Sequence, residues 1–384
     1  MIRMLTAATE ELDNINDAVE EIFGQLDLAG NLLKNAVGII TCEPEFVDAG
    51  VVRVLCERLP FDTVGITTQG SAVPGHYGSE LLTIAVLTSD DVSFAAVFSD
   101  PITPDNIEAS INDAFKRARS AYSGVPSLIL AYLPLLLNIS NATILNTINS
   151  IAEGIPIFGS VSCDGTIHFT FCKTIYNGNA LPDTMALVMM YGEVKPRFFI
   201  TSVPYSSLKK QYAFITESES GTVRKVNNIS FADFLKNMQL ADSLIGTNPT
   251  IPFIVKNNDG NVPMARALYS VLPEGYGVFG GDMPVGAKIS LCSVDYNGIL
   301  ETAEDTLTQL LADKNSCALI YTCLSRALIL SPRPNAEMEK TAEIIGDKIP
   351  YQICYSGGEY CPVENAENIL VNHVHNFTFI VCAF

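Results

Sequence analysis

The chain contains no tryptophan, few histidines and far fewer basic than acidic residues. Its 23 Lys and Arg residues face 42 Asp and Glu residues, which gives a formal net charge of −19 over 384 residues. No local cluster of Lys and Arg interrupts this excess of negative charge, so the surface repels phosphate backbones and anionic lipids. The composition therefore predicts no nucleic-acid partner and no membrane partner.

Long hydrophobic runs are also missing. The longest nearly uninterrupted apolar stretch is the 11 residues 127–137, and it contains Pro134. A helix needs about 20 apolar residues to span a bilayer. The N-terminus reaches Glu10 and Glu11 before the apolar core of a signal peptide can form. We therefore expect a cytoplasmic protein.

The short motifs of common catalytic and nucleotide-binding sites do not occur. The chain has no GxSxG nucleophile elbow, no GxxxxGK[ST] phosphate loop and no HExxH zinc motif. The glycine-rich stretch at 278–286 is not a GxGxxG motif, so no dinucleotide cofactor is indicated. Four histidines leave few groups for general acid–base catalysis. We expect no cofactor.

The ten cysteines are scattered and form no CxxC pair. Several lie inside apolar strand patterns of a chain without a secretion signal, which favours reduced, buried thiols. One zinc hypothesis joins Cys354 and Cys361 to His373 and His375. Structural zinc sites usually have more tightly spaced ligand pairs, so a metal site is not our prediction.

What the chain does contain is a repeated motif. Apolar strands run into glycine turns at 64–71 and 278–286, and two longer copies, 142–160 and 335–358, share an amphipathic helix, Ile-Pro, a short strand and a glycine-containing turn. A repeat separated by roughly 190 residues predicts two related halves, possibly pseudo-symmetric, rather than a solenoid.

Hydrophobic periodicity predicts an α/β fold with mixed sheets. A leading helix, in one or two pieces, is predicted at 10–35, followed by strand, helix and strand over 36–68. The run 81–100 is typical of an antiparallel hairpin, and 104–122 of a helix. Hairpins mixed with helical crossovers indicate sheets that are not purely parallel.

The composition changes once along the chain. After Gly192, the segment 195–228 is more polar and holds a disproportionate share of the Lys and Arg residues. We place a domain junction there. The predicted organisation is an N-terminal helical segment (1–34), an N domain (35–203) and a C domain (204–384).

Polar candidates in the second half follow predicted strands. They are Cys323, Arg326, Glu359 after the turn at Gly358, and His375 with Asn376. Open α/β sheets commonly bind ligands at the carboxyl ends of strands. Arg offers a bidentate fork for a carboxylate, Glu an acceptor for an ammonium, and the glycine turn exposed N–H groups. If they converge, they fit a zwitterion such as an amino acid.

Structural roles are the alternative for the same residues. Arg326 and Glu359 could pair with each other across neighbouring strands, and His375 could be a core histidine. In the first half, Thr67 and Thr68 lie in a hydroxyl-rich turn, and a similar one follows Gly159. These turns could bind a polar group, but side-chain hydroxyls also cap turns of this kind.

An enzyme is the competing function. Cys323 with His375 and Glu359, or Cys163 with His168, could supply a nucleophile, a base and an orienting group. The result would be a Cys/His-dependent hydrolase or transferase acting on a small substrate.

Five segments together resemble the FIST proteins, whose paired FIST N and FIST C domains are sensory input modules of bacterial signal transduction. The segments are GITTQGS (65–71), IFGSVSCDG (157–165), CLSRALIL (323–330), YSGGEYCP (355–362) and HNFTF (375–379). The resemblance covers both halves, from about residue 35 onward. It implies a small ligand, with amino acids as the leading candidates.

The residues that match the family pattern are Gly65, Thr67, Thr68, Gly70, Phe158, Gly159, Cys323, Arg326, Gly358, Glu359, His375, Asn376 and Thr378. The first turn departs from the pattern, because Ile66 and Ser71 replace the usual Cys and acidic residue. Ser160 occupies a position that is more often Gly. Many relatives fuse these domains to an output domain, whereas this chain ends at Phe384 in a predicted strand. The resemblance therefore implies a separate signalling output protein.

Overall fold

The computed structural model describes residues 1–136, 138–166, 169–204, 212–240, 251–256, 263–365 and 367–384. The strands are β1 (Arg3–Thr9), β2 (Asn35–Cys42), β3 (Thr63–Thr67), β4 (Ser71–Val73), β5 (His76–Gly78), β6 (Leu82–Ser89), β7 (Ser93–Phe98), β8 (Leu128–Leu133), β9 (Ile157–Val161), β10 (Thr174–Tyr176), β11 (Asn179–Leu181), β12 (Ala186–Tyr191), β13 (Arg197–Thr201), β14 (Ala213–Glu219), β15 (Thr222–Val226), β16 (Ile229–Ser230), β17 (Ile251–Lys256), β18 (Met264–Val271), β19 (Gly277–Phe279), β20 (Lys288–Leu291), β21 (Ala318–Cys323), β22 (Tyr351–Ser356), β23 (Glu359–Glu364), β24 (Leu370–His375) and β25 (Phe379–Ala383). The helices are α1 (Ile15–Leu26), α2 (Leu28–Asn31), α3 (Pro44–Asp48), α4 (Val51–Arg58), α5 (Ile107–Ala121), α6 (Asn141–Ala152), α7 (Phe231–Asn237), α8 (Tyr296–Ala312), α9 (Leu324–Ile329) and α10 (Ala336–Ile345).

Three six-stranded sheets of the described chain share one topology. Sheet I has the order β1-β6-β2-β3-β10-β11, sheet II β7-β12-β8-β9-β23-β24, and sheet III β13-β25-β21-β22-β4-β5. In each sheet two parallel strands (β2/β3, β8/β9 or β21/β22) lie beside an antiparallel third (β6, β12 or β25). The repeat at 142–160 and 335–358 corresponds to α6–β9 and α10–β22, and the sheet topology adds a third copy at α4–β3.

The three sheets are built from three repeated units, each of which supplies four strands to one sheet and a hairpin to another. The three units therefore exchange their hairpins in a ring. The hairpin β4–β5 leaves the first unit and pairs with β22 of sheet III. The hairpin β10–β11 of the second unit pairs with β3 of sheet I, and β23–β24 of the third unit pairs with β9 of sheet II. Each sheet is therefore completed by a neighbouring unit, and we call this interlocked assembly the frame.

The inner faces of the three sheets form one core. It contains side chains from all of them, including Val37, Leu130 and Ile380. At its centre the Tyr132 and Tyr321 hydroxyls lie 2.8 Å apart, and Phe158 stacks on Tyr321 at 5.0 Å. The outer faces are covered by helices α1, α3 and α4 on sheet I, α5 and α6 on sheet II, and α8 to α10 on sheet III. Apolar residues therefore alternate between an inner and an outer core.

A seven-stranded sheet, β14-β20-β17-β18-β19-β15-β16, forms a separate layer with its own aromatic core. Phe279 contacts both Phe231 and Phe253 edge to face in that core. We call this layer the cap sheet. A small cluster containing Ala265, Ala267 and Phe377 joins it to the frame.

The mixed α/β class and the repeated organisation predicted from the sequence are confirmed. Helices α1 and α2 occupy the predicted leading segment, and α5 the predicted helix at 104–122. The segment 1–34 is not wholly helical, however, because β1 pairs along its whole length with β6. Its seven residues were too few to outweigh the helical pattern that follows them.

The hairpin predicted at 81–100 is wrong. Strand β6 pairs with β1 and β2 in sheet I, whereas β7 pairs with β12 in sheet II. A two-residue turn between apolar runs resembles a hairpin locally, but each run pairs with strands elsewhere in the chain.

The predicted boundary between the N and C domains does not separate the sheets. Sheets II and III both combine strands from before and after residue 203. No helix among the described residues is long and apolar enough to cross a membrane.

Candidate functional site

The hydroxyl-rich glycine turns lie where the three units interlock. Thr68 Oγ1 accepts from Gly70 N at 3.3 Å, and Ser356 Oγ accepts from Gly358 N at 3.2 Å, so two of the turns have the same local structure. Gly70 O then accepts from Tyr355 N, and Gly358 O from Val161 N. The polar groups of these turns are used to hold one unit to the next.

Thr67 and Gly159 also have structural roles. The Thr67 hydroxyl accepts from Lys173 N at 2.9 Å, which fastens the turn to the hairpin of the next unit. A Cβ added at Gly159 would lie 2.1 Å from Ala131 O, and one at Gly65 would lie 2.0 Å from Ile40 O. Glycine at these equivalent positions lets the parallel strands approach each other. None of these predicted ligand contacts is free of protein partners.

Arg326 is fully buried and paired with Glu337. Its Nε and Nη2 donate to Glu337 Oε1 at 2.9 and 2.6 Å, and Thr322 Oγ1 donates to Glu337 Oε2 at 2.7 Å. Nη1 donates to the Ser202 and Phe377 carbonyls, and Nη2 also to Thr302 Oγ1. The guanidinium therefore has no donor left for a ligand carboxylate, and its partner is Glu337 rather than Glu359.

Glu359 is buried behind Thr378. The Thr378 hydroxyl donates to Glu359 Oε2 at 2.7 Å, and Oε1 has no hydrogen-bond partner in the described part of the chain. Burial raises the pKa of Glu359 to about 8, although Thr378 and Cys323 partly offset that rise. A carboxyl with such a pKa carries its proton at neutral pH. It is a poor counter-ion for a ligand ammonium.

His375 and Asn376 connect the frame to the cap sheet. His375 Nε2 lies 3.0 Å from Cys361 O, and burial lowers the pKa of His375 to about 3, so the ring is neutral. Asn376 Oδ1 accepts from Ala267 N at 3.3 Å, and its Nδ2 donates to His375 O. Asn376 therefore fixes β18 against the last turn of the frame.

The thiols proposed as nucleophiles are not activated. Burial raises the pKa of Cys163 to about 12, and burial followed by the charge of Glu359 raises the pKa of Cys323. A reactive cysteine needs a lowered pKa and access. His168, the proposed base for Cys163, lies outside the described residues. The described residues also contain no group of three or more His, Cys, Asp or Glu side chains placed to hold a metal ion.

A cleft of about 450 Å³ opens between α8, the end of β13, the cap-sheet strands β17 and β18, and the hairpin β23–β24. Its lining residues are Ile200, Thr201, Ser202, Val203, Pro204, Ile254, Pro263, Met264, Ala265, Gly298, Glu301, Thr302, Asp305, Val363, Glu364, Asn365, His373, His375 and Thr378. Three of them are carboxylates, and none of the described lining residues is Lys or Arg. The cleft therefore combines an acidic wall with an apolar floor.

Helix α8 sets the acidic wall. Asp295 caps its N-terminus, because the Asp295 carboxylate accepts from Gly298 N at 2.8 Å. Glu301 and Asp305 are four residues apart, which places both on the side of the helix that faces the cleft. Glu364 approaches from β23. The charges of three side chains on two elements therefore act on one space.

The residues singled out from the sequence lie mostly one layer behind this cleft. Ser202 and Thr302 line it and accept hydrogen bonds from Arg326, and Thr378 lines it and donates to Glu359. Of the predicted ligand contacts, His375 alone is a lining residue. The Arg326–Glu337 pair thus lies behind the wall and does not line the cleft itself.

Sequence reasoning missed Glu301, Asp305, Glu364 and Asn365. A weak signal existed for the first two, since their spacing of four on a predicted helix puts two carboxylates side by side. His373 and His375 alternate on one strand and share a face, which also signals a common surface. Nothing local marks Glu364 or Asn365.

Two family models match consecutive regions that together cover most of the chain. The model of the FIST N domain matches residues 36–229, and that of the FIST C domain matches residues 231–362. No curated protein matches the chain. Solved structures that match include a cyanuric acid hydrolase described as an evolutionary innovation by structural concatenation, with 10% identity, 100% of this chain and 99% of that chain covered, and a TM-score of 0.33. A second is the cyanuric acid hydrolase from A. caulinodans, with 8% identity, the same coverages and a TM-score of 0.36.

Proposed function

The chain belongs to the FIST family, whose domains are sensory domains, and from that premise we propose that it binds a small polar ligand in the cleft beside α8. Ligand sites of proteins are typically about 300–1,000 Å³ in volume, concave, and lined by apolar residues with a few polar groups. The cleft of about 450 Å³ fits this description. It is the observation that carries the proposal.

The ligand carries an ammonium group. Glu301, Asp305 and Glu364 present carboxylates to the cleft, and the described lining residues bring no Lys or Arg to neutralise them. A cationic group forms charge-assisted hydrogen bonds with such acceptors. Thr302, Asn365 and His373 also line the cleft and add polar groups for the rest of the ligand. An amino acid has the size and the ammonium that this lining favours.

The cleft is lined by two parts of the molecule, the frame and the cap sheet, and this suggests how a ligand could produce a signal. Glu301 and Glu364 belong to the frame, whereas Ile254, Met264 and Ala265 belong to the cap sheet. A ligand that contacts both binds most tightly when they are close together, and so shifts the population of conformations toward that state. We propose that a separate output protein in the cytoplasm recognises the ligand-bound conformation.

Thermal unfolding with a panel of amino acids and simple amines tests the proposal, because a ligand that binds the native state raises the unfolding temperature. We expect at least one compound with a free ammonium to do so. Glu301→Gln and Asp305→Asn should each weaken its binding about tenfold or more, the loss expected for a charge-assisted hydrogen bond. Glu304→Gln, on the same helix but outside the lining, is the matched control.

A contradictory outcome is equally clear. If no amine or amino acid stabilises the protein, or if Glu304→Gln weakens binding as much as Glu301→Gln, the acidic wall is not the ligand site. Where a compound does bind, isothermal titration of the three variants with that compound measures whether Glu301→Gln and Asp305→Asn weaken binding more than Glu304→Gln.

A further inference from the structure

A second arginine, Arg266, is buried without an ion-pair partner. It lies on β18 and is 5% exposed. The charge of Asp282 acts on it, but no carboxylate within the described residues forms a salt bridge with it. Burial lowers the pKa of Arg266 to about 10. An unpaired guanidinium in the interior is costly, so a structure that keeps one indicates a role for it.

One edge of this guanidinium lacks oxygen acceptors. Nη1 donates to the Ala265 and Val374 carbonyls, each at 3.1 Å. Within the described residues, Nε has no hydrogen-bond partner, and the partner of Nη2 is the thioether of Met264 at 3.7 Å, a weak acceptor. Nε and Nη2 together form the side of arginine that binds a carboxylate through two parallel hydrogen bonds. On that side the described residues provide no oxygen acceptor.

The guanidinium lies next to residues that line the cleft. Met264, Ala265 and His375 all line the cleft, and each contacts Arg266 or is affected by its charge. Beside Nε the chain has Gly281, where an added Cβ would lie 2.7 Å from that nitrogen. The unbranched side chain of Met264 both contacts Nη2 and lines the cleft, and methionine changes rotamer readily.

We infer that Arg266 is the anion-binding group of this cleft, and that it receives the carboxylate of a small ligand when the Met264 side chain turns aside. The inference rests on the proposed function and deepens it. The ligand is a zwitterion whose ammonium lies toward Glu301 and Asp305 and whose carboxylate lies toward β18. Arg266 thus takes the role that the sequence analysis gave to Arg326.

Phenylglyoxal, which modifies accessible guanidinium groups, measures whether Arg266 can be reached. The rate at Arg266 is read by peptide mass mapping for the wild type, Met264→Ala and the size-matched control Met264→Leu. Removing the cover should raise the rate about tenfold or more, because the open state no longer has to be populated transiently. Met264→Leu should behave as the wild type, and the fully bonded Arg326 serves as an unreactive internal standard.

Sodium acetate is the probe for anion binding. At matched ionic strength, acetate should slow modification of Arg266 relative to chloride, both in Met264→Ala and in the wild type. An unchanged rate in Met264→Ala, or a faster rate that acetate does not reduce, overturns the inference. If Met264→Ala fails to fold, the acetate effect on the wild type still decides.

This outcome is independent of the amine test. Loss of amine binding in Glu301→Gln with no acetate protection of Arg266 would leave the acidic wall as a ligand site and remove Arg266 from it. Acetate protection without any amine binding would do the reverse.

Discussion

Arg326 in the frame and Arg266 at the cleft floor are both buried, yet their surroundings differ. Arg326 donates to a carboxylate, to main-chain carbonyls and to a threonine hydroxyl. Arg266 has two carbonyl acceptors, while its Nε has no hydrogen-bond partner in the described part of the chain. We expect the fully bonded charge to hold the fold together and propose the other for a ligand. The two arginines therefore differ in their hydrogen-bond and ion-pair partners rather than in their burial.

The largest effect on the free energy of unfolding is expected at the buried Arg326–Glu337 pair. Glu337→Gln keeps the size of the side chain but leaves the Arg326 charge uncompensated, which should lower the free energy of unfolding by about 3–5 kcal/mol. Urea unfolding measures this loss. Glu343→Gln, which breaks the exposed pair with Lys340 on the same helix, should change it by no more than about 1 kcal/mol. Equal effects of the two variants would remove the distinction between a buried structural pair and a surface pair.

Glu359 should produce an intermediate, pH-dependent effect. Its pKa is about 8 in the folded protein and 4.5 when unperturbed, so between these values the folded state holds a proton that the unfolded state has lost. Stability from this group is therefore greatest below pH 4.5 and falls as the pH rises toward 8, by at most about 1.4 kcal/mol per pH unit.

Glu359→Gln removes that slope. The difference in unfolding free energy between variant and wild type should move in favour of the variant as the pH rises through this window, as measured by urea unfolding at several pH values. Glu43, whose pKa is also raised, is present in both proteins and cancels. Parallel curves for the two proteins would show that Glu359 is not the proton-holding group.

The smallest effect on stability is expected at the open arginine. Arg266→Met removes a buried charge that has no salt bridge with a described carboxylate and keeps an apolar stem, so the free energy of unfolding should change by about 1 kcal/mol or less, in either direction. This change should be smaller than the loss of unfolding free energy in Glu337→Gln. A loss as large as that at Glu337 would mean that Arg266 is as structural as Arg326.

The sequence predicted the fold class and its repeat but not the arrangement that defines the site. The Ile-Pro, strand and glycine pattern identified α6–β9 and α10–β22 because it is local. The exchange of hairpins could not be predicted, since the paired residues of β4 and β22, such as Ala72 and Ile353, are 281 positions apart and each hairpin looks self-contained. The cleft lies between the frame and the cap sheet, so no single segment contains it.

The same limit explains why the sequence pointed to Arg326 and not to Arg266 as the ligand-binding arginine. Arg326 attracted attention because it follows an apolar strand, and its true partner, Glu337, looks like any helix-surface glutamate in sequence. Arg266 lies within a strand, and one of its carbonyl partners belongs to Val374, 108 residues away. Which of the two is satisfied depends on contacts that only the folded chain creates.

A crystal structure with the amino acid that gives the largest thermal shift tests the central claim most directly. The account predicts ligand density beside α8, with the ammonium at Glu301 and Asp305, the carboxylate on the Nε and Nη2 side of Arg266, and the Arg326–Glu337 pair unchanged. Ligand density at Arg326, or at any place outside this cleft, would contradict it.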